Sequence, residues 1–261
     1  MIYFLVHIGK LPAHLTVCVD QILKIDSCAK VYVCSNTDPC REDITFIHIN
    51  DLQLPNLGNY LTNDPDPLWY TSLLRIFTIN SFIQQTKESI IHFDNDVLIY
   101  EPFDKIANAL TNEIYITPHK NGEYTFGYSF INSMDKFNIL SQKIYETVVL
   151  GESNVKQVLG ETHEMRLLGY CGVDIVTDLP VHPTYGNING YIFDPSSYGQ
   201  YIGGTPAGHA PGFIDKQQIV GNIIDNNSVI QFNGKPTILY KDTQYPIFNL
   251  HIHSKNLQQF I

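Results

Sequence analysis

Residues 89–103 read SIIHFDNDVLIYEPF. Ile90, Ile91 and Phe93 describe a buried strand, and Asp94-Asn95-Asp96 interrupts the apolar pattern before Val97-Leu98-Ile99-Tyr100 resumes it. Two carboxylates between apolar runs do not make a simple solvated face. Buried without partners, each would cost several kcal/mol, so they call for a cation or strong donors. Side chains at i and i+2 lie on one side of an extended chain, which lets both reach one ion. Ligands of open α/β sheets bind outside the carboxyl ends of the strands, where this pair falls. Oxygen ligation with vacancies suits Mg²⁺ or Mn²⁺, which shares its shell with substrate phosphates. The alternative is a tight turn in which Asp94 or Asp96 caps a helix or bonds to backbone amides.

Upstream of this segment, strand and helix signals alternate. Ile2 to Ile8 is an apolar run closed by Gly9, as in a strand covered on both faces. Leu11 to Ile25 places Leu15, Val19, Ile22 and Ile25 at helical steps. Val31 to Cys34 and Thr45 to Ile49 read as strands, and Leu68 to Gln85 as a long helix. This alternation implies a largely parallel sheet with right-handed crossovers. Past residue 110 the pattern changes. Strands are predicted at Glu113–Pro118 and Tyr124–Ile131, and helices at Lys136–Leu150 and Val155–Leu168. A turn-rich stretch covers Ile192–Gly212. Further strands follow at Val229–Phe232, Thr237–Tyr240 and Ile247–Ile252, then a short helix capped by Ser254. The reading is one α/β domain over residues 1–261, with an irregular second half.

Composition narrows the function classes. The chain has 261 residues, 44% of them hydrophobic and 12% aromatic, which suits a globular domain and argues against disorder. Sixteen basic against 26 acidic side chains give a net charge of −10, which disfavours a nucleic-acid partner. No run approaches the roughly 20 apolar residues of a membrane helix, and MIYFLVHIGKLP lacks a basic segment ahead of its apolar run. Cys18, Cys28, Cys34, Cys40 and Cys171 are odd in number and form no CxxC pair, so reduced thiols in a cytoplasmic protein are expected.

FDNDVLIYEPF resembles the Asp-x-Asp segment of GT-A-fold glycosyltransferases, which use nucleotide-sugar donors. Arg75, in the helix TSLLRIFTI nineteen residues before Asp94, strengthens the likeness, because retaining family 8 enzymes carry a similar arginine directed at the donor. The resemblance implies a mixed, mainly parallel sheet flanked by helices. It divides the chain into a nucleotide- and metal-binding half, 1–110, and an acceptor-binding half, 111–261. His7 and Gly9 at the end of the first strand and Asn36 after the second would hold base and ribose, with Asn95 beside them. The C-terminal motif NLHIHSKNL, residues 249–257, extends the likeness. His251 and His253 alternate in a strand, and Lys255 follows. In related enzymes a C-terminal histidine completes the metal shell and a lysine contacts the diphosphate. The metal set expected is thus Asp94, Asp96 and His251 or His253, of which His251 has the gap to Lys255 nearer the family pattern.

The acceptor side is read from FDPSSYGQYIGG, residues 193–204, with Asp194 and Gln200, and from GHAPGFID, which leads to Asp215. Gln200 is a candidate active-site residue, and Asp174 and Asp215 are candidates for a general base if the reaction inverts. Asp194 reads equally as the cap of a following helix. His119, Glu123 and Tyr124 are further acceptor-side candidates. The expected activity is transfer of a sugar from a UDP- or similar donor to a glycan or other hydroxyl, with Mn²⁺ or Mg²⁺. A metal-dependent phosphohydrolase is the competing enzyme, although position 98 is leucine and the aspartates follow three strands. A sugar-nucleotide-binding module without turnover is the competing non-enzyme.

Overall fold

The computed structural model describes residues 1–61 and 67–261. Its centre is a seven-stranded sheet in the order β3-β2-β1-β4-β7-β6-β8. The strands are β1 (Ile2–His7), β2 (Lys30–Ser35), β3 (Thr45–His48), β4 (Ile90–His92), β6 (Ile114–Pro118), β7 (Tyr124–Ile131) and β8 (Val176–Asp178). All run parallel except β7, which is antiparallel to both β4 and β6. The mostly parallel sheet expected from the alternation is therefore present, and the change of pattern past residue 110 is the reversed strand β7.

IYFLVH in β1 is apolar throughout because both faces are covered. Tyr3 and Leu5 join the core beneath α1 (His14–Ile25), with Val31, Leu15, Val19 and Ile22. Ile2, Phe4 and Val6 join the opposite core beneath α2 (Leu68–Thr86), with Ile76, Ile79 and Ile83. Phe4 stacks on Phe82 of α2 at 4.1 Å between ring centres. The period-two alternation of one strand thus splits between two hydrophobic layers. α1 starts at His14, three residues after the expected Leu11, since Pro12 enters the first turn only through its carbonyl, which accepts Leu15 N–H at 3.1 Å.

The other face of the second core carries α4 (Met134–Val149), α5 (Glu152–Leu159) and α6 (Glu164–Gly172). The single helix expected over Val155–Leu168 is two helices, because Gly160 takes a left-handed φ of 77° and ends α5. The short helix α3 (Asp104–Ala107) follows β5 (Val97–Ile99), the apolar run after the aspartates. Later elements are α7 (Tyr198–Gly203) and α8 (Gly221–Asn227), then β9 (Ser228–Phe232), β10 (Pro236–Tyr240), β11 (Thr243–Pro246) and β12 (Asn249–His251).

The strand expected over Ile247–Ile252 is shorter, β12 at Asn249–His251, and a separate strand, β11, precedes it. β11 belongs to the β9–β10 hairpin sheet, and β12 leaves it to pair antiparallel with β5. The C-terminus forms a 3-10 turn at Leu257–Phe260 led by Asn256, and the buried Ser254 hydroxyl has no partner, so it is not the cap. All five cysteines are free. No helix among the described residues is long and apolar enough to cross a membrane.

Candidate active site

The Asp94-Asn95-Asp96 turn follows β4 at the carboxyl end of the parallel strands and is pinned by its backbone. Asp94 N–H donates to Phe126 O, and Val97 N–H to Asp94 O, both at 3.0 Å. The pair converges because the chain turns here, not because an extended strand alternates. β5 then leaves the turn and takes β12 as its partner, with His251 in register with Val97. That register sets His251 beside the carboxylates. Its Nε2 lies 3.1 Å from Asp96 Oδ1 and 3.8 Å from Asp94 Oδ2. One ligand atom from each of Asp94, Asp96 and His251 falls within 4.8 Å of the others.

His253 is not brought into that cluster. Its Nε2 donates to Ser196 O at 2.9 Å, and its ring stacks on His251 at 4.4 Å between centres. Burial, reinforced by His251, pushes its pKa down to about 3. The other ring nitrogen of His251, Nδ1, meets Ser196 Oγ at 2.9 Å, which fixes the ring with Nε2 toward the carboxylates. Ser196 holds a left-handed φ of 62°, and Gly127 leaves room for its hydroxyl, since a Cβ there would lie 2.9 Å from Oγ.

Positive charge surrounds the two aspartates. Lys255 Nζ donates to Asp96 Oδ2 from the last eleven residues of the sequence. Burial works to raise the Asp96 pKa, but His251 and Lys255 outweigh it and hold the carboxyl well below its usual range. Arg75 Nη1 pairs with Asp94 Oδ1, its Nη2 with Glu164 Oε1 at 2.8 Å, and its guanidinium lies 5.1 Å from the Phe126 ring centre. Asn95 links the loop after β1 to this turn. Its Nδ2 donates to His7 Nδ1 at 2.9 Å, its Oδ1 accepts from His14 Nε2 at 3.0 Å, and His7 Nε2 donates to Lys10 O at 2.8 Å. Gly9 N–H donates to Asn36 Oδ1 at 2.9 Å, tying the loops after β1 and β2 together; neither residue lines the cleft.

Asp194 sits fully buried behind His251. Its Oδ1 accepts Ser197 and Tyr198 N–H at 2.8 Å each, and its Oδ2 accepts Gly199 N–H at 3.0 Å and His251 N–H at 2.9 Å. It therefore caps α7 and joins it to β12. The two elements touch so closely that a Cβ on Gly199 would lie 2.1 Å from His251 O.

A cleft of about 570 Å³ opens over the turn. His7, Arg75, Asp94, Asn95, Asp96, Gln200, His251, His253 and Lys255 line it, as does His119, which burial pushes down to about 4. Gln200 Nε2 lies 3.1 Å from His209 Nδ1. The other acceptor-side candidates are not among the residues that line the cleft. Asp174 is exposed in the turn that enters β8, and β8 runs parallel to β6, so this residue sits at the amino end of the strands, opposite the cleft. Asp215 pairs with Lys120 at 3.6 Å and accepts Gln217 N–H at 2.9 Å, outside the lining. Glu123 faces Arg166 at 3.8 Å, and Tyr124 O–H donates to Asp178 at 2.7 Å; neither lines the cleft. Glu164, Ser196 and Trp69 do line it and carried no sequence signal beyond a first-turn acid, a turn serine and an aromatic at a helix start.

No protein-family model matches the chain, and no curated protein does. Among solved structures it is similar to the galactosyltransferase LgtC, crystallised with donor and acceptor sugar analogs. The two share 13% identity over 96% of this chain and 86% of that one, with a TM-score of 0.51. It is also similar to the apo form of the glycosyltransferase GlyE of Streptococcus pneumoniae, at 13% identity over 76% of this chain, with a TM-score of 0.50. The chain spans less than half of GlyE, 44% and 47% of two structures of it. The fold is that of the GT-A glycosyltransferases.

Proposed function

We propose that the protein is a metal-dependent glycosyltransferase that moves a sugar from a nucleoside diphosphate donor, a UDP-sugar, to a hydroxyl of a carbohydrate acceptor. The observation that carries this reading is the convergence of Asp94, Asp96 and His251 Nε2 within 4.8 Å, under Lys255 and Arg75, in the cleft of a GT-A fold. Two carboxylates and one imidazole nitrogen fit a hard or borderline divalent ion, Mn²⁺ or Mg²⁺. When bound, such an ion supplies positive charge against the departing diphosphate.

The chain's own residues do the rest. Asp94, Asp96 and His251 would hold the ion, and Ser196 keeps the His251 ring turned toward it. Lys255 and Arg75 are preorganised cations that would donate to phosphate oxygens as charge builds there. His7, Asn95 and the Gly9–Asn36 link would order the loops around base and ribose. Residues 1–110 would thus supply most of the donor site and 111–261 the rest, including His251 and Lys255.

Transfer with retention is favoured over inversion. Among the described residues, the carboxylates lining the cleft are Asp94, Asp96 and Glu164, and each is already held by Arg75, His251 or Lys255. None is left to serve as a base for an acceptor hydroxyl. Gln200 is then an orienting amide instead of a proton acceptor.

Isothermal titration with UDP and with GDP, each with and without Mn²⁺, tests the reading. The expected result is binding of UDP that requires the metal and is lost in Asp96→Ala. Absence of metal-dependent binding of either nucleotide would reject it.

A further inference from the structure

The first turn of α2 presents large apolar side chains to the cleft whose floor carries Asp94, Asp96 and Lys255. The core stripe of α2 begins only at Leu73. Ahead of it, Leu68 is 52% exposed and Trp69, the one tryptophan of the chain, is half-buried; both line the cleft with Met165. Trp69 is steadied from one side by the His163 ring, 4.8 Å away and tilted by 31°. Indole left partly in water forgoes the burial it would gain in the core, so Trp69 beside Leu68 offers an apolar face to a ligand in the cleft.

The position of the ledge selects the ligand. Trp69 lies six residues before Arg75, about 9 Å along the helix axis, and therefore beyond the Arg75–Asp94 pair. It belongs with α2 and α6, whereas His7 at the end of β1, Pro12 of the following loop and His14 at the start of α1 form another wall. Ser72 brings a hydroxyl to the cleft beside it, and Thr71, whose O–H donates to Leu68 O at 3.0 Å, brings an oxygen that can still accept. A flat apolar face next to small hydrogen-bonding groups fits a pyranose ring, which offers C–H groups on one face and hydroxyls around its rim.

We infer that Trp69 is the acceptor platform, on which a sugar ring of the acceptor stacks while its reacting hydroxyl points toward the Asp94–Asp96 turn. The inference rests on the transferase reading and places an acceptor contact in the first half of the chain.

Because the chain has a single tryptophan, its emission reports this residue alone. The experiment titrates the full chain, with saturating UDP and Mn²⁺, with glucose, galactose, N-acetylglucosamine, lactose, maltose and cellobiose. At least one is expected to shift or quench the emission. For that sugar, Trp69→Ala should raise the acceptor KM or Kd by about tenfold, the scale of losing an aromatic anchor. Trp69→Phe should recover most of that loss, and the UDP Kd should move less than twofold in both variants. A silent panel overturns the inference. So does a Trp69→Ala variant that weakens UDP and leaves the sugar unaffected, since the indole would then serve the base. Failure of UDP to bind the unaltered protein rejects the transferase reading itself and is read separately.

Discussion

The buried carboxylate of Asp194 accepts the backbone N–H of His251 at 2.9 Å while its other oxygen caps α7. A helix cap and the strand that carries His251 thus share one side chain. Asp194→Ala leaves four N–H groups without their acceptor and should destabilise the protein by about 3 kcal/mol or more in urea unfolding. Asp194→Asn keeps one oxygen but turns an amide donor toward N–H groups, so it should recover only part of the loss. Mn²⁺ affinity should fall in both. An alanine variant of native stability would refute the coupling.

A divalent ion held as proposed would compete with Lys255 for Asp96. Replacing Lys255 with Met removes a cation from the carboxylate, so Mn²⁺ alone should bind severalfold more tightly. UDP in the presence of Mn²⁺ should bind more weakly, because a phosphate partner is gone. Titrations of the metal, then of UDP with saturating metal, separate the two effects. Equal weakening of both would show that Lys255 supports the metal site instead.

Arg75 bridges Asp94 and Glu164, and Glu164 is buried. Arg75→Met strands two carboxylates and should cost about 3–5 kcal/mol in denaturant unfolding. Arg75→Lys cannot span both partners with one fork and should rescue little. Adding Glu164→Gln to Arg75→Met should return part of the stability; a double variant less stable than the single one would contradict this.

His182 is fully buried away from the cleft, between Thr184 and Ser228, and burial pushes its pKa down to about 4. The folded protein therefore refuses a proton that the unfolded chain takes up below about pH 6.5. Stability from the neutral ring is complete above that pH and is lost as pH falls toward 4, by about 2 kcal/mol between pH 7 and pH 5. Urea midpoints across that range should fall more steeply for the native protein than for His182→Asn. Parallel curves would exclude His182 as a source.

Local pattern carried much of this fold. The apolar run of β1, the stripe of α2 and the carboxylates after β4 are short-range signals, and the elements form close to where the pattern puts them. Register and strand direction are long-range properties. The sequence motif His-x-His does not say which ring faces Asp96; the pairing of β12 with β5 decides it. Asp174 reads as an available carboxylate until the direction of β8 carries it to the far end of the sheet. Val155–Leu168 keeps an apolar period across Gly160, so the break appears only in the backbone. Glu164 and Ser196 matter through partners 89 and 55 residues away, a distance no window of sequence covers.

β12 pairs with β5 across some 150 residues, and Lys255 reaches Asp96 across 159. On the ribosome, the strands from β1 to β7 are all synthesised by residue 131, long before these partners emerge. β5 therefore waits unpaired, and Asp96 waits without His251 and Lys255. Closing so long a loop is entropically slow, and an open apolar strand edge is prone to wrong pairing in the interval. Synthesis of residues 249–255 is the event that both pairs β5 and completes the cluster around Asp96, so a chain stalled before residue 249 has neither.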